Sequence, residues 1–266
     1  MILVTMRWAS VMAVLYLLRK EQIAADWPAI RPRLCTLLAL GALGFTVFSV
    51  ALYYALIYTT AINASILQGG MPLFVFAASF VLFSSRINLE QAAGFVVSFF
   101  GVIIIAARGD LSNLIGLDIN IGDALMVAAI IAYGIYTAAL RSKPQVHWTS
   151  LLFVFCLGAT LASLPMLAFE AVQGKTILPD MQGWAAIVYI VILPSLAAQV
   201  FYIRAVELIG ANRAGLFINL LPAWGALLAV VILGEAFRPY HALALMTILA
   251  GVGLAEYGGR KLSRTA

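Results

Sequence analysis

The residues able to do chemistry in this chain are few and regularly spaced. In Ala211–Leu233, ANRAGLFINLLPAWGALLAVVIL, Asn212, Gly215 and Asn219 recur at intervals of three and four, followed by Pro222 and Trp224. Such spacing puts them on one side of a helix. An earlier stretch, Ala61–Phe83, AINASILQGGMPLFVFAASFVLF, carries Asn63, Gln68 and Pro72. Ser195, Gln199 and Tyr202 follow at steps of four and three, Ser49 and Tyr53 are four apart, and Tyr133, Tyr136 and Thr137 cluster further along. A mid-helix proline removes one helical hydrogen bond and kinks the helix, so Pro72 and Pro222 free carbonyls beside these amides and phenols. The chemistry on offer is hydrogen bonding to an organic solute. Arg7, roughly 9 Å into the first apolar run at about 1.5 Å per residue, would add attraction for a carboxylate or phosphate.

Each of these has a plainer role to compete with. Arg7 could bind helix-end carbonyls. Asn63 and Asn212 lie near helix ends, where capping is the expected role. Gln68 and Asn219 lie deeper; their plain role is interhelical hydrogen bonding. Tyr58, Tyr189 and Tyr257 read as interfacial aromatics. Gly94, Ser98 and Gly101 read as a close-packing face, and Arg204 and Glu207 as a local ion pair.

Enzyme chemistry finds no support. The sequence has no HExxH, no paired carboxylates within an apolar run and no Gly-rich phosphate loop. His147 and His241 fall at helix ends, and neither Ser163 nor Ser195 has a histidine nearby in sequence. No catalytic residues, no metal and no cofactor are expected. Cys35 and Cys156 lie at or in apolar runs, which argues against a disulfide framework.

The elements that must position these groups are membrane helices. The chain has 266 residues, 64% hydrophobic and only 10% charged, against about 25% charged in a soluble domain. Its net charge of +5 sits between apolar runs, so it reads as membrane orientation and not as nucleic-acid binding. A span needs roughly 20 apolar residues. Nine runs qualify: A, Ile2–Leu18; B, Leu34–Tyr58; C, Ala61–Phe83; D, Leu89–Ala107; E, Gly122–Leu140; F, Thr149–Phe169; G, Gly183–Arg204; H, Ala211–Leu233; and I, Tyr240–Tyr257. The expected class is an all-α polytopic membrane protein. No cleavable signal peptide is expected.

Lys and Arg set the orientation. One side collects Arg19, Lys20, Arg31, Arg33, Arg86, Arg141, Lys143, Arg204, Arg213, Arg260, Lys261 and Arg264. The other has Arg108, Lys175 and Arg238. The bias places the C-terminus in the cytoplasm. Nine crossings then put Met1 outside, with nothing basic ahead of helix A. Either helix A inserts with its N-terminus outside, or a preceding helix has been lost by truncation or a misplaced start.

The chain also repeats. Between Pro72 and Pro222 the offset is 150 residues, and the same offset superposes Ala55 on Ala205, Ala64 on Ala214 and Gly101-Val102 on Gly251-Val252. Helices B, C and D therefore match G, H and I, A matches F, and E is left without a mate. Two five-helix units, 1–107 lacking its first helix and 108–266, fit this pattern. An odd-numbered unit repeated directly is inverted, an arrangement of transporters.

GANRAGLFINLLPAWGALLAVVILGEAF from Gly210, NASILQGGMPLFV, the two Gly-Val helix centres and GDALMVAAIIAYGIYTAALRS together resemble the EamA branch of the drug/metabolite transporter superfamily. The resemblance covers essentially the whole chain. It implies ten helices in two inverted repeats and movement of small metabolites or drugs, often outward. The expected partners are a small-molecule substrate and the lipid bilayer, with no nucleic acid; oligomers are left open. No Asp or Glu lies mid-helix, which favours neutral, zwitterionic or anionic solutes. The expected mechanism is alternating access, with the substrate site between helices B, C, G and H. The competing reading is a membrane scaffold, an accessory subunit or a non-functional fragment.

Overall fold

The computed structural model describes every residue except 60, 86–87, 108–109, 111, 113–119, 175–178, 234–236 and 266. Among the described residues all regular structure is helical, so the chain is an all-α membrane protein. Helix α1 (Ile2–Ile30) covers run A and continues beyond it; α2 (Leu34–Gly41) and α3 (Phe48–Tyr58) form B; α4 (Ala61–Gly69) and α5 (Met71–Phe83) form C. Next come α6 (Leu89–Ala106) for D, α7 (Ile121–Ala139) for E and α8 (Trp148–Val172) for F. Run G is α9 (Met181–Ile190) and α10 (Ala198–Ile209), H is α11 (Ala211–Leu216) and α12 (Leu220–Leu233), and I is α13 (Pro239–Thr265). Five stretches are long and apolar enough to cross a membrane: Ile2–Tyr58, Ile121–Ser142, Trp148–Val172, Met181–Ile209 and Pro239–Gly259.

Four of the nine runs are interrupted, and the interruptions recur at offsets within about three residues of 150. B and G each contain a π-helical segment, Ala42–Val47 and Val191–Ala197. C breaks at Gly70, and H passes through a 3-10 turn at Phe217–Asn219. The starts of α4 and α11, at Ala61 and Ala211, differ by the same offset, as do those of α6 and α13, at Leu89 and Pro239.

In C and H the break falls just ahead of the proline. Pro72 occupies the first turn of α5, where its missing N–H has no helical partner to lose, and Pro222 is the third residue of α12. The prolines thus start a second helix where the sequence suggested a kink within one. Helix α1 also outruns its apolar stretch. It bends at Arg19 (φ −140°, ψ 26°) and continues to Ile30, because Glu21, Gln22, Ala24 and Ala25 are good helix formers even where hydropathy has ended.

The helices gather into two compact units. The first comprises Met1–Val50 and Ala139–Leu208; the second comprises Ala51–Ala138 and Ile209–Ala266. In the first, α1 packs along α8, and α2 and its π segment also lie on α8. The buried residues Val4, Trp8, Val11 and Leu15 of α1 follow steps of four, three and four, one helical stripe. Contact between α2 and α8 is close enough to require glycine. A Cβ at Gly41 would strike the Phe155 backbone, and one at Gly158 the Leu38 backbone.

In the second unit the repeat mates α6 and α13 pack on each other. A Cβ on Gly94 would come within 2.5 Å of the Gly251 carbonyl and the Ala255 nitrogen; one on Gly101 would lie 2.5 Å from the Ile248 side chain. The small-residue face read from Gly94, Ser98 and Gly101 is therefore a packing seam. Helix α7 is started by a reciprocal cap: the Asn120 side chain accepts from the Gly122 N–H at 2.8 Å, while Asp123 accepts from the Asn120 N–H at 3.0 Å.

Candidate functional site

Within the first unit, polar chemistry collects where the π segments meet α1. Pro194 has no N–H to give the Ile190 carbonyl four residues back. The ladder shifts register, and the Ala198 N–H bonds to Leu193 O, five residues back. The Ser195 hydroxyl donates to the Ile190 carbonyl at 2.6 Å, and Ser195 itself is fully buried. Arg7 closes this arrangement: its Nε–H donates to Ser195 Oγ. Such π bulges occur often at functional sites.

Arg7 also touches the other π segment through an aromatic stack. Its guanidinium carbon lies 4.4 Å from the centre of the Trp8 ring. Trp8 stacks on Phe45 of the first π segment at 4.2 Å and 16°. Phe45 meets Phe155 edge-on at 6.1 Å. One cation thus connects both repeat-related π segments, directly to Ser195 and through Trp8 to Phe45. The buried Trp8 Nε1 and Gln199 Oε1 have no hydrogen-bond partner among the described residues. Ser49 is buried, whereas Gln199 and Tyr202 are half-buried on α10, past the π turn.

The second unit holds the other predicted residues. Asn219, in the 3-10 turn, is 1% exposed. Its Nδ2 donates to Ser98 Oγ at 2.9 Å, and that hydroxyl donates to the Phe95 carbonyl at 2.9 Å. The Asn219 Oδ1 has no partner among the described residues. Gln68 is half-buried on α4, just ahead of the break at Gly70, and Tyr53 is half-buried on α3. Tyr133 and Tyr136 on α7 are buried with ring centres 5.5 Å apart. Trp224 is 58% exposed, which sets it apart from the buried groups.

Two expectations about amides fare differently from the rest. Asn212 does not cap α11. Gly210 holds the N-cap position at φ 84°, no side chain caps there, and the Asn212 Oδ1 is buried without a partner. The Asn63 and Pro222 side chains lie outside the described ones. Arg204 and Glu207 pair at 2.5 Å as expected, and Lys143 joins them at 2.7 Å. The sequence reading missed Pro194, Trp8 and Phe45. Pro194 was visible as a proline within an apolar run; the stacking of Trp8 on Phe45 left no sequence signal.

The pattern has known counterparts. The model of the EamA-like transporter family matches residues 1–107 and 120–256. The uncharacterized transporter YetK of Bacillus subtilis is 25% identical over 210 residues, which are 79% of this chain and 64% of YetK, so the chain spans under two thirds of that relative. An uncharacterized transporter of Archaeoglobus fulgidus is 31% identical, over 79% of this chain and 72% of its own length. A probable terminal-alkyne amino-acid exporter of Streptantibioticus cattleyicolor is 28% identical over 80% of the chain and 70% of its own. A solved crystal structure at 21% identity shares the fold with a TM-score of 0.76, covering 98% of this chain and 87% of the other. This chain belongs to the EamA-like transporter family.

Proposed function

We propose that the protein carries small organic solutes outward across a bacterial inner membrane by alternating access between two inverted repeats, 1–107 and 108–266, with the C-terminus in the cytoplasm. The observation that carries this is the matched pair of helix interruptions, with buried polar groups at each. Membrane transporters hold substrates at broken helices, where backbone and amide groups are freed from the regular ladder. Here B and G each carry a π segment and C and H each carry a break, at closely corresponding places in the two halves of the chain. The polar atoms beside them, Gln199 Oε1 and Asn219 Oδ1, are buried acceptors without a protein partner among the described residues. A buried acceptor left unpaired costs about 1–3 kcal/mol, a cost that a bound solute can offset.

The groups proposed to contact solute are Arg7, Ser49, Gln199 and Tyr202 in the first unit. In the second they are Gln68, Asn219, Tyr133 and Tyr136, with Tyr53 and Trp224 as more accessible aromatics. Arg7 would attract a carboxylate, and within the same unit the Gln199 amide oxygen would accept from an ammonium. A zwitterion of amino-acid type suits that combination, and the exporter-named relative points the same way. The test is efflux of radiolabelled amino acids from proteoliposomes. Efflux competed by zwitterions and not by a dication is the expected result; preferential competition by the dication overturns the solute class.

A further inference from the structure

We propose that the groove along α1 across its bend is a phospholipid site, with an ethanolamine-type headgroup held by Lys20 and Glu21. The groove lies within the first unit and encloses about 460 Å³, in the range of small-molecule sites. Tyr16, before the bend, and Lys20 and Trp27, after it, line the groove from α1, and Phe153 of α8 also lines it. The Tyr16 and Phe153 rings are 6.0 Å apart. Phe153 sits inside the apolar run of α8, so this end of the groove is at acyl-chain depth. Further along, Trp27 is 37% exposed, an aromatic ring with a polar tip of the kind enriched at headgroup level.

The charges select the headgroup. Lys20 and Glu21 both line the groove, both are exposed, and neither has a hydrogen-bond or ion-pair partner among the described residues. The neighbouring carboxylate, Asp26, is already engaged: it accepts from the Ser150 hydroxyl at 2.6 Å, the His147 N–H at 3.1 Å and Gln22 Nε2 at 3.1 Å. Glu21 is therefore the carboxylate left to face a ligand beside Lys20. A lipid phosphate fits the lysine, and a primary ammonium fits the glutamate with charge-assisted hydrogen bonds. A glycerol headgroup gives Glu21 no cation, and a choline headgroup gives it no N–H donor. The Arg19 bend puts the two charged residues just past the end of the apolar run, at the boundary where such headgroups lie.

This site stands apart from solute transport and is tested without it. The detergent-purified chain is mixed with equal amounts of phosphatidylethanolamine, phosphatidylglycerol and phosphatidylcholine, and retained lipid is counted by native mass spectrometry. About tenfold greater retention of the ethanolamine lipid is expected, corresponding to ~1.4 kcal/mol. Glu21→Gln should bring it down to the level of the glycerol lipid, and Lys20→Gln should lower retention of both. Free glycerophosphoethanolamine at the same concentration should not compete. Both variants alter exposed side chains, and circular dichroism confirms their fold. Equal retention of the three lipids, a preference that survives Glu21→Gln, or full competition by the free headgroup would each overturn the proposal.

Discussion

The two compact units contain the same hydrogen-bond chain built from different donors. In the first, Arg7 donates to Ser195, which donates to the Ile190 carbonyl. In the second, Asn219 donates to Ser98, which donates to the Phe95 carbonyl. Each serine joins a side chain from another helix to the backbone of its own. The surroundings differ. Around Arg7 the helices are π-bulged and aromatic, whereas Ser98 lies in the glycine seam of α6 and α13. A charge in an apolar segment is expensive and is kept where it does work; a neutral amide in a close-packed seam is cheap and structural as readily as functional. Arg7 of the first unit is therefore the main electrostatic contact proposed for a solute, and Asn219 is a neutral acceptor proposed in a rigid seam of the second.

Breaking the seam should have the largest effect. Gly251→Leu forces a side chain into the Ser98 backbone, and overpacking of this kind costs about 3 kcal/mol or more where backbone opposes it. Loss of monodisperse protein on size-exclusion chromatography is expected. Next comes Arg7→Ala, which should cut efflux about tenfold or more while shifting stability by about 1–3 kcal/mol, the scale of a lost charged hydrogen bond with a cation–π contact beside it. Thermal unfolding beside flux separates the two effects. Arg7→Lys should rescue part of the flux at most, since the ammonium lacks the guanidinium's planar fork.

Smaller effects sharpen the contrast. Pro194→Ala restores a donor for the Ile190 carbonyl, and slower amide exchange across Val191–Ala197 is expected as the π segment relaxes toward α. Asn219→Ala should cost about 0.6 kcal/mol of stability, the average for an interhelical hydrogen bond in a membrane protein. Gly253→Leu, on the same helix as Gly251 but with nothing within 4 Å of its Cβ position, should change stability by less than about 0.5 kcal/mol. If Gly253→Leu were as damaging as Gly251→Leu, the seam would not be what α13 contributes.

Much of the fold was legible because bilayer spans announce themselves by length and hydropathy. All nine runs fall on helix, and the 150-residue offset seen in Pro72 and Pro222 returns in the element boundaries. What hydropathy cannot report is hydrogen-bond register. The π segment at Ala42–Val47 contains no proline, and the 3-10 turn at Phe217–Asn219 has ordinary apolar neighbours. The extension of α1 past Leu18 was hidden because propensity carried on where hydropathy stopped. Among the site residues, Asn219 could be read as an inward-facing amide, but its partner Ser98 is 121 residues away. The Arg7–Ser195 contact joins residues 188 apart, so the sequence showed the charge and not what it touches. Asn212 was misread as a cap because end position alone does not distinguish a capping amide from one two residues past a left-handed glycine.

The central claim is that the chain moves a small solute and that Arg7 binds it. The most direct measurement is efflux of a zwitterionic amino acid from proteoliposomes bearing the chain or its Arg7→Ala variant, at matched reconstitution. Efflux well above protein-free liposomes, falling about tenfold in the variant (~1.4 kcal/mol), is the predicted result. Equal flux from both would remove Arg7 from the site, and flux no higher than in empty liposomes would contradict transport by this chain.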